Sequence, residues 1–539
     1  MPKLASHDGI DPTSRKKLNK ILDKEKIEIH SSIDPVKYYM GLSAGFHDAG
    51  ASVIDNHGNI VFAGHAERYS GVKNDPNLNQ ELIDDALRYG EPNNIAWYER
   101  PLLKRTRQLY SGEWRKAIDF TTQPSKQIHA LLGKIPVHCY GHHLCHAAAG
   151  FQTSPFTSAK VIVVDAIGEW DTITVWDATY EPKEFLTNPA TKHRGKAQYK
   201  KLWSQRYPHS IGLYYSAVTQ YVGLKPMEDE YILMGMAAYG KSYLTAYEEN
   251  LKLWSDDTKI ETMDNLHAGI QDDYFSGTGL SEFDIAAGAQ KVTEQLLLNL
   301  VQKWCGMGEN LVLMGGVALN CVANSNLRAY CKNLWIMPNP GDCGSSLGAA
   351  ALQYGRRLNW KGPYLGHDMG GEYPVDAVIG GLIADKIVGV ASGRAEFGPR
   401  ALGTRSLLAD PRGEDIKDRV NAIKKRQEFR PFAPMILEEH ASEVFEMYHD
   451  KSQPYMQLVY PCKQPDLYPA IVHADGTSRV QTVGKQDHPG VRELLEKWYF
   501  MTGCPLLLNT SLNIKGEPMV NNRADADRFE KKYNVRVCS

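Results

Sequence analysis

Two histidines with a spacing of four are the first feature of this sequence that could do chemistry. His142 and His146 lie in the run HHLCHAAAGF. On a helix this spacing places both imidazoles on one face, where they could hold one divalent metal ion. The zinc-protease motif uses the same spacing but has a glutamate after its first histidine, and none follows here. A solvated or core histidine pair is the alternative, and His143 could replace His142 as the partner.

Two carboxylates at the ends of predicted elements could complete such a site. The apolar run KVIVVD predicts a buried strand that ends at Asp165. The run PNPGD predicts a tight turn that ends at Asp342. Two imidazoles and two carboxylates form a mixed nitrogen and oxygen site, which suits iron(II), manganese or zinc and needs no thiolate.

Composition limits the classes of protein that these motifs can belong to. The chain has 539 residues, of which 42% are hydrophobic and 23% charged, as in ordinary globular proteins of more than one domain. Its net charge of −2 gives no global reason to expect nucleic acid or membrane binding. Scattered cysteines without a C-x-x-C pair and the lack of a signal peptide predict a cytoplasmic protein. The sequence contains no run of ~18 apolar residues, so we predict no membrane span.

A glycine turn and clustered cations are the next features along the chain. The run NLVLMGGVALN predicts a strand, a turn at Gly315 and Gly316, and a helix start, where backbone amides could approach a nucleotide. Asn320 and Asn324 could offer amides to its ribose or base. The second half concentrates arginine and lysine, flanked by glycines and prolines, in the ranges 393–405, 410–412, 423–426, 429–434, 479–482 and 509–518. Arginine offers forked donors to phosphate, so this pattern suggests two anionic ligands held together.

These segments, in this order, resemble the O-carbamoyltransferases of the nodulation and antibiotic-tailoring family. The likeness runs from about Tyr39 to about Val520. It implies an α/β protein with an N-terminal extension at 1–37. A duplicated actin-like ATPase domain of the Kae type would follow at 38–365, and a YrdC-like α/β domain at 366–539. The Gly- and Pro-rich stretch 360–371 is where we place the boundary.

The resemblance also implies an activity and its residues. Carbamoyl-adenylate would form in the second domain from carbamoyl phosphate and ATP, with magnesium, and its carbamoyl group would pass to an acceptor hydroxyl at the metal site of the first. The implied catalytic residues are His47, Lys73, Arg400, Lys424, Arg430 and Arg479. The implied nucleotide-binding residues are Gly315, Gly316, Asn320, Asn324 and Lys515. The implied metal ligands are His142, His146, Asp165 and Asp342, with iron(II) favoured over manganese and zinc.

The acceptor and three other functions stay open at this point. Lys192 to His209 interleaves cations with Tyr199 and Trp203 and contains no acid. Such a stretch could follow DNA bearing a hydroxymethylated pyrimidine, or it could be a solvated hairpin beside a site for a small sugar. The other functions are a tRNA threonylcarbamoyl-type enzyme, hydrogenase maturation, and a non-catalytic nucleotide-binding module. We expect no membrane partner, and a homodimer is left open.

Overall fold

Two five-stranded sheets with the same topology form the first part of the fold. In each sheet three strands make an antiparallel meander, and two further strands add in parallel beside the first strand of the meander. The strands of the first sheet are β1 (Tyr38–Ser43), β2 (Gly50–Asp55), β3 (Ile60–His65), β4 (Pro92–Trp97) and β5 (Val137–Cys139). Those of the second are β6 (Ser158–Gly168), β7 (Asp171–Tyr180), β8 (Ala197–Arg206), β9 (Asn310–Met314) and β10 (Asn333–Trp335).

The hairpin between β2 and β3 shows why the sequence folds this way locally. The Asp55 carboxylate accepts hydrogen bonds from the backbone N–H groups of His57 and Asn59, each at 2.9 Å. Gly58 takes a positive φ of 86° at the tip, which suits glycine.

This computed structural model describes residues 36–119, 123–181, 195–256, 259–447, 450 and 452–539. Most of the predicted extension at 1–37, and Lys192 of the basic stretch, lie outside those residues. Within them the helices of the first part are α1 (Glu67–Ser70), α2 (Gln80–Leu87), α3 (Pro101–Tyr110), α4 (Trp114–Ile118), α5 (Pro124–Leu132), α6 (His142–Thr153), α7 (Ile211–Tyr221), α8 (Glu230–Met236), α9 (Tyr243–Leu251), α10 (Glu282–Trp304), α11 (Cys321–Leu327) and α12 (Ser345–Tyr354). None of the described helices is long and apolar enough to cross a membrane.

Helices α6 and α12 pack against each other, α6 on the second sheet and α12 on the first. Small residues permit this close packing. A Cβ on Gly150 would lie 2.6 Å from the side chains of Met314 and Val312. A Cβ on Gly348 of α12 would lie 1.8 Å from the Cys145 carbonyl oxygen. The helix that carries both metal-site histidines is therefore held tightly at the centre of the fold.

The second part is built on a six-stranded mixed sheet in the order β18-β15-β19-β14-β12-β20. Its strands and the short strands around it are β11 (Tyr364–Asp368), β12 (Ile387–Ala391), β13 (Arg394–Glu396), β14 (Arg405–Ala409), β15 (Ala433–Leu437), β16 (Val459–Pro461), β17 (Thr477–Arg479), β18 (Gln481–Val483), β19 (Leu506–Ser511) and β20 (Val537–Cys538). The described helices here are α13 (Val375–Asp385), α14 (Ile416–Lys424), α15 (Ala441–Val444), α16 (Pro489–Thr502) and α17 (Arg523–Tyr533).

The predicted α/β class is confirmed, with mixed sheets in both parts. The predicted boundary between 365 and 366 falls inside β11, which pairs with β13 of the second part and also contacts β3 of the first. Residues 365 and 366 therefore belong to a strand that contacts both parts of the fold, and not to a linker between them. The actin-like and YrdC-like assignments and the domain limits stay predictions.

Candidate active site

Four buried side chains from three separate segments converge at the start of α6. His142 and His146 come from the helix, Asp165 from β6, and Asp342 from the turn before α12. The Nε2 atom of His142 lies 3.1 Å from Asp165 Oδ2 and 3.3 Å from Asp342 Oδ1. The Nε2 atom of His146 lies 3.2 Å from Asp342 Oδ1 and 3.1 Å from Nε2 of His142. The four predicted ligands thus come together within 4.8 Å of one another.

This geometry fits one divalent metal ion. Ligand atoms about 2.0–2.2 Å from one ion lie roughly 3–3.5 Å from each other, which is the spacing found here. Two nitrogens and two carboxylate oxygens are a donor set for iron(II), manganese or zinc. His143 faces away from the cluster, with Nδ1 3.0 Å from Thr174 Oγ1, so it is His142 that pairs with His146.

The charges of the cluster favour a cation. Burial lowers the pKa of His142, but the charges and hydrogen bonds of Asp342 and Asp165 raise it well above the ordinary value. The pKa of His146 is raised in the same way against burial. The pKa of the Asp165 carboxyl, which burial alone raises, is held well below its ordinary range by the two histidines. A dication in the cluster would supply the positive charge and leave both rings neutral, as ligands must be.

The turn after β6 holds the histidines in place. Gly168 packs on the rings of His142 and His143, because a Cβ there would lie 2.4 Å from Cδ2 of His142 and 2.5 Å from Cδ2 of His143. Glu169, with a φ of 60°, accepts a hydrogen bond from Arg100 Nη2 at 2.6 Å. The Arg100 guanidinium also lies against Gly141, the residue before α6. The Arg100–Glu169 pair therefore links the turn after Asp165 to the start of the histidine helix.

A cavity of about 380 Å³, which we call the central cavity, runs from this cluster into the second part of the fold. Of the residues predicted from the sequence, it is lined by His47, Lys73, Asp165, Gly316, Asn320, Asp342, Arg400, Lys424, Arg430, Arg479 and Lys515. Acidic and imidazole groups thus form one end of the cavity and basic groups the other.

The basic end holds four guanidinium groups, those of Arg400, Arg426, Arg430 and Arg479. Among the described residues none of them forms an ion pair with a carboxylate; Arg400 donates to the Leu319 carbonyl oxygen at 3.3 Å, and Arg430 lies over the Tyr231 ring at 4.6 Å. Nε of Arg479 is buried without a hydrogen-bond partner. Burial and the charges of its neighbours lower the pKa of Arg400 to about 9. Buried cations without counter-charge are costly, so this end favours an anionic ligand.

Lys424 adds a fifth cation held only by neutral groups. Its Nζ donates to Ser511 O at 2.5 Å, Ser511 Oγ at 3.0 Å and Asn513 Oδ1 at 2.6 Å. Burial, followed by the charges of Arg426 and Arg430, lowers the pKa of Lys424 well below its ordinary value. A bound anion would favour the protonated form and pair with it.

At the acidic end, His47 is oriented by a carboxylate. Its Nδ1 lies 3.1 Å from Asp48 Oδ2. Burial lowers the pKa of His47, but Asp48 and then Asp342 and Asp165 raise it to about 9. A histidine held by a carboxylate has the chemistry of a general base, and His47 lines the central cavity. Lys73 also lines the central cavity, with its charge paired to Glu67 at 2.8 Å.

Two family descriptions match this chain, one in the first part of the fold and one in the second. The family description "Carbamoyltransferase N-terminus" matches residues 106–351, and "Carbamoyltransferase C-terminus" matches residues 380–538. An uncharacterized protein of Synechocystis is 33% identical, covering 91% of this chain and 94% of that one. Nodulation protein NolNO of Sinorhizobium fredii is 30% identical, covering 89% of this chain and 76% of that one. NolO of Bradyrhizobium diazoefficiens is 32% identical, covering 71% of this chain and 75% of that one.

The chain belongs to the carbamoyltransferase family. It is an enzyme that transfers carbamoyl groups, and the family resemblance drawn from the sequence is confirmed.

The glycine turn of this carbamoyltransferase serves packing as much as binding. Gly316 N–H donates to Asp165 Oδ1 at 3.2 Å and lines the central cavity. Gly315 has a φ of 92°, and a Cβ on it would lie 2.2 Å from the Val164 carbonyl oxygen, so it lets the turn approach β6. Asn320 caps α11 by accepting from Ala323 N–H at 3.0 Å. Asn324 is buried and donates to Ala318 O at 2.8 Å. It and Gly315, both predicted nucleotide contacts, are not on the wall of the central cavity.

Strained backbone is concentrated around the same cavity. Asp48, Asn74, Met227 and Met456 all have positive φ angles, between 53° and 66°, and all line the central cavity. Such conformations cost on the order of 1–3 kcal/mol each for residues other than glycine, and they collect at functional sites. In this conformation the backbone N–H of Met227 donates to Glu230 Oε1 at 2.5 Å.

Sequence reasoning missed two residues of the basic end. Arg426 lines the central cavity between Lys424 and Arg430, and the density of cations in that run was an available signal. Glu396 is buried, and its Oε1 accepts from the backbone N–H groups of Leu402 at 2.8 Å and Thr404 at 2.9 Å. It thereby fixes the loop that carries Arg400. A lone glutamate among arginines gives no sequence signal for that role.

The basic stretch lies on β8, an edge strand of the second sheet. Its aromatic rings pack on the protein: Tyr199 donates to Gln152 Oε1 at 3.0 Å, and Trp203 stacks on Trp304 with centroids 6.1 Å apart. Lys201 pairs with Asp171 at 2.7 Å. The rings considered for base stacking are therefore already engaged.

Proposed function

We propose that this enzyme makes carbamoyl-adenylate from carbamoyl phosphate and ATP and transfers its carbamoyl group to the hydroxyl oxygen of an acceptor. One observation carries the proposal. A single cavity joins a histidine and carboxylate cluster to a group of cations that lack counter-charges. The first suits a metal that activates a carbonyl, and the second suits phosphates.

The first half-reaction belongs at the basic end. Water hydrolyses carbamoyl phosphate to carbamate and inorganic phosphate, and a carbamate oxygen then attacks the α-phosphorus of ATP. The bond from that phosphorus to the bridging oxygen breaks, and pyrophosphate leaves with its magnesium. Arg400, Arg430 and Arg479 hold the phosphates, and Lys424 and Lys515 line the same cavity. Pre-placed cations of this kind stabilise the charge that shifts in the transition state.

The second half-reaction belongs at the acidic end. Bound by His142, His146, Asp165 and Asp342, a divalent ion, for which we favour iron(II) over manganese and zinc, would polarise the carbamoyl carbonyl. His47 takes the proton of the acceptor hydroxyl, and Asp48 holds the imidazole in the orientation for that transfer. The acceptor oxygen bonds to the carbamoyl carbon, the bond from that carbon to the AMP oxygen breaks, and AMP leaves. Passing the labile group within one cavity limits its exposure to water.

The repeated sheet topology supports a duplicated actin-like domain at 38–365, and the separate mixed sheet supports a YrdC-like domain at 366–539. Free cysteines support a reducing, cytoplasmic setting. Among acceptors we favour a small molecule such as a sugar over a hydroxymethylated pyrimidine of DNA, because the aromatic rings of β8 are packed on the protein.

The test measures both half-reactions with labelled carbamoyl phosphate and a panel of hydroxyl acceptors. Pyrophosphate should appear from ATP without an acceptor, and AMP and labelled product should appear together once a suitable acceptor is present. Label transfer without ATP would overturn the adenylate route. A need for threonine and bicarbonate in place of carbamoyl phosphate would favour the tRNA threonylcarbamoyl-type alternative, and ATP binding with no turnover would favour a nucleotide-binding module.

A further inference from the structure

The histidines of the metal cluster lack the hydrogen bonds that usually orient metal-binding rings. A histidine that faces a metal through Nε2 commonly donates its Nδ1–H to a carboxylate or a carbonyl oxygen, which fixes the direction of the ring. The Nδ1 atoms of His142 and His146 are buried, and neither has a hydrogen-bond partner among the described residues. The direction of these rings therefore depends on packing, and the residues that pack on them decide how well the cluster fits an ion.

The ring of His142 is in contact with an aromatic ring and with a turn. The centroids of the Tyr98 and His142 rings lie 5.1 Å apart. The turn approaches through Gly168, where a Cβ would lie 2.4 Å from Cδ2 of His142 and 2.5 Å from Cδ2 of His143. Gly168 is the last residue of β6, the strand that also carries Asp165. A shift of this turn would therefore change how the His142 ring and the Asp165 carboxylate face each other.

The residue after Gly168 has an unfavourable backbone conformation. Gly168 pairs with Asp171, which leaves a two-residue hairpin loop between them. Glu169, the first residue of that loop, has a φ of 60°. Glycine, asparagine and aspartate are preferred at such positions, because most longer side chains disfavour the left-handed region. Strain of about 1–3 kcal/mol persists only where the surrounding structure holds the residue in place, so Glu169 is kept here by its contacts.

Arg100 provides those contacts. The Glu169 carboxylate, only 5% exposed, accepts hydrogen bonds from the backbone N–H of Arg100 at 2.6 Å, from Nε at 3.1 Å and from Nη2 at 2.6 Å. Forked, charge-assisted contacts of this kind are among the strongest between side chains. The guanidinium also lies against the start of α6, because a Cβ on Gly141, the N-cap residue, would lie 3.4 Å from Nη2. Helix N-termini disfavour cations, so the Glu169 carboxylate also offsets the charge that Arg100 brings there.

We propose that Arg100 and Glu169 are positioning residues for the metal ligands, and we call this pair the clamp. The clamp holds the turn after β6 against the start of α6, and it thereby sets the affinity of the histidine and carboxylate cluster for a divalent ion. Neither residue lines the central cavity, so the clamp acts through the ligands and not on a substrate. The inference rests on the metal site of the proposed function and adds the device that holds its ligands in place.

Titration of the metal-free, full-length protein with cobalt(II) tests this role, because the visible absorption of the bound ion reports both its occupancy and the geometry of its ligands. Glu169→Ala should weaken cobalt(II) binding by about tenfold to a hundredfold, the usual cost of losing a residue that orients metal ligands. The spectrum of the ion that does bind should change in shape. Parent affinity and a parent spectrum in Glu169→Ala would overturn the inference.

Glu169→Gly separates the clamp from the conformation of the turn. Glycine takes a positive φ without strain, so this variant should unfold at a higher temperature than Glu169→Ala. It still lacks the carboxylate that Arg100 holds, and it should therefore bind cobalt(II) as weakly as Glu169→Ala does. Recovery of the parent affinity in Glu169→Gly would mean that Glu169 only closes the turn, which would overturn the inference.

A double-mutant cycle tests whether the two residues act as one unit. Arg100→Ala should weaken cobalt(II) binding, and Arg100→Lys, which keeps the charge without the forked donors, should restore part of the loss. In the Glu169→Ala background, Arg100→Ala should add no further loss, because the contact is already broken. Losses that simply add would show that the two residues act independently, and the clamp would be ruled out.

Glu439→Ala is the matched control, because Glu439 makes the same kind of forked pair in the second part of the fold, where its Oε2 accepts from Arg492 Nη1 at 2.8 Å. Its cobalt(II) affinity should stay within about twofold of the parent, as expected for a distant site. Pyrophosphate release by Glu169→Ala should likewise persist, and its loss would show a general disturbance of the fold and count against the clamp. A parent protein that binds cobalt(II) no better than His146→Ala would overturn the metal site of the proposed function itself.

Discussion

The two ends of the central cavity are opposite in charge and in the way that their charges are satisfied. At the metal end, each of the four ligand atoms faces other members of the cluster at 3.1–3.6 Å. At the basic end, the guanidinium groups face carbonyl oxygens, an aromatic ring and one another. One ion would satisfy the charges of the metal end. On the proposed function, the charges of the basic end are satisfied by phosphate ligands that arrive and leave with each turnover.

The two ends also differ in the elements that carry them. The metal ligands stand on a tightly packed helix, a central strand and a turn that opens a helix. Arg400, Arg426 and Arg430 stand on loops, where the chain can adjust to substrates. We therefore expect the metal end to fix the geometry of the transfer step, and the basic end to adapt to several phosphate ligands. A substitution at one end should then stop one half-reaction and leave the other.

The largest effect is expected from His146→Ala. The variant removes one metal ligand, and loss of an ion that polarises a carbonyl should lower transfer by about a thousandfold or more. Pyrophosphate release from ATP and carbamoyl phosphate should persist, because the arginines are untouched. Metal content is measured alongside. His143→Gln is the matched control, since His143 is on the same helix and faces Thr174. Loss of both half-reactions in a folded His146→Ala protein would contradict the division.

The next effect should come from Arg400→Ala, which tests the other end. Loss of one pre-placed cation should slow pyrophosphate release by about a hundredfold, in line with the removal of a single transition-state donor. Saturating carbamoyl-adenylate should restore transfer, because the metal cluster is intact. Arg400→Lys keeps the charge but not the forked donors of the guanidinium group. Its rate of pyrophosphate release should fall between those of the parent enzyme and Arg400→Ala. Pyrophosphate release at the parent rate in Arg400→Ala would show that the arginine cluster is not the adenylation site.

A pH profile sharpens the role of His47. A base acts only when unprotonated, so a pKa raised to about 9 means that the transfer rate rises with pH towards that value. A metal on Asp165 and Asp342 cancels their part of the shift, which leaves the inflection between ~6.5 and that value. Asp48→Asn removes the nearest negative charge. Its inflection should therefore move to lower pH, with a plateau about tenfold lower because the ring is less well oriented and less basic.

Asp48→Glu is the control for this profile, since it keeps the charge. An inflection that does not move in Asp48→Asn would mean that another group provides the base.

The metal end could be predicted from the sequence because each of its ligands has a local signal. The i, i+4 spacing marks His142 and His146, and a strand end and a turn end mark Asp165 and Asp342. What spacing could not decide was the choice between His142 and His143, since both are on the helix. That choice depends on Thr174, whose hydroxyl lies 3.0 Å from Nδ1 of His143 and engages that ring away from the cluster.

The basic end was predicted less completely, because clustered cations do not say which of them are paired. Lys73 is in the predicted site but has its charge paired to Glu67. Arg426 was not assigned and yet stands in the wall of the central cavity. Pairing depends on contacts between segments that are far apart in sequence, such as Lys424 with Ser511 and Asn513. The glycine turn was hard to interpret for the same reason. Gly315 was predicted to contact a nucleotide, but it lets the turn pack closely against β6.

The smallest effect is expected from changing the basic strand β8, which lies outside both ends of the cavity. Lys196→Ala with Lys200→Ala removes two exposed cations, and transfer to a small acceptor should stay within twofold. If this strand followed duplex DNA, each phosphate contact would add ~0.9 to the slope of log affinity against log salt, so the double variant would bind with a visibly shallower slope. We expect an unchanged slope, because Tyr199 and Trp203 pack on the protein and Lys201 is paired with Asp171.

Gln198→Ala on the same strand is the uncharged control. A shallower slope in the lysine variant alone, together with carbamoylation of hydroxymethylated DNA by the parent enzyme, would reverse the preference for a small-molecule acceptor. It would also make β8 a third functional region beside the two ends of the cavity.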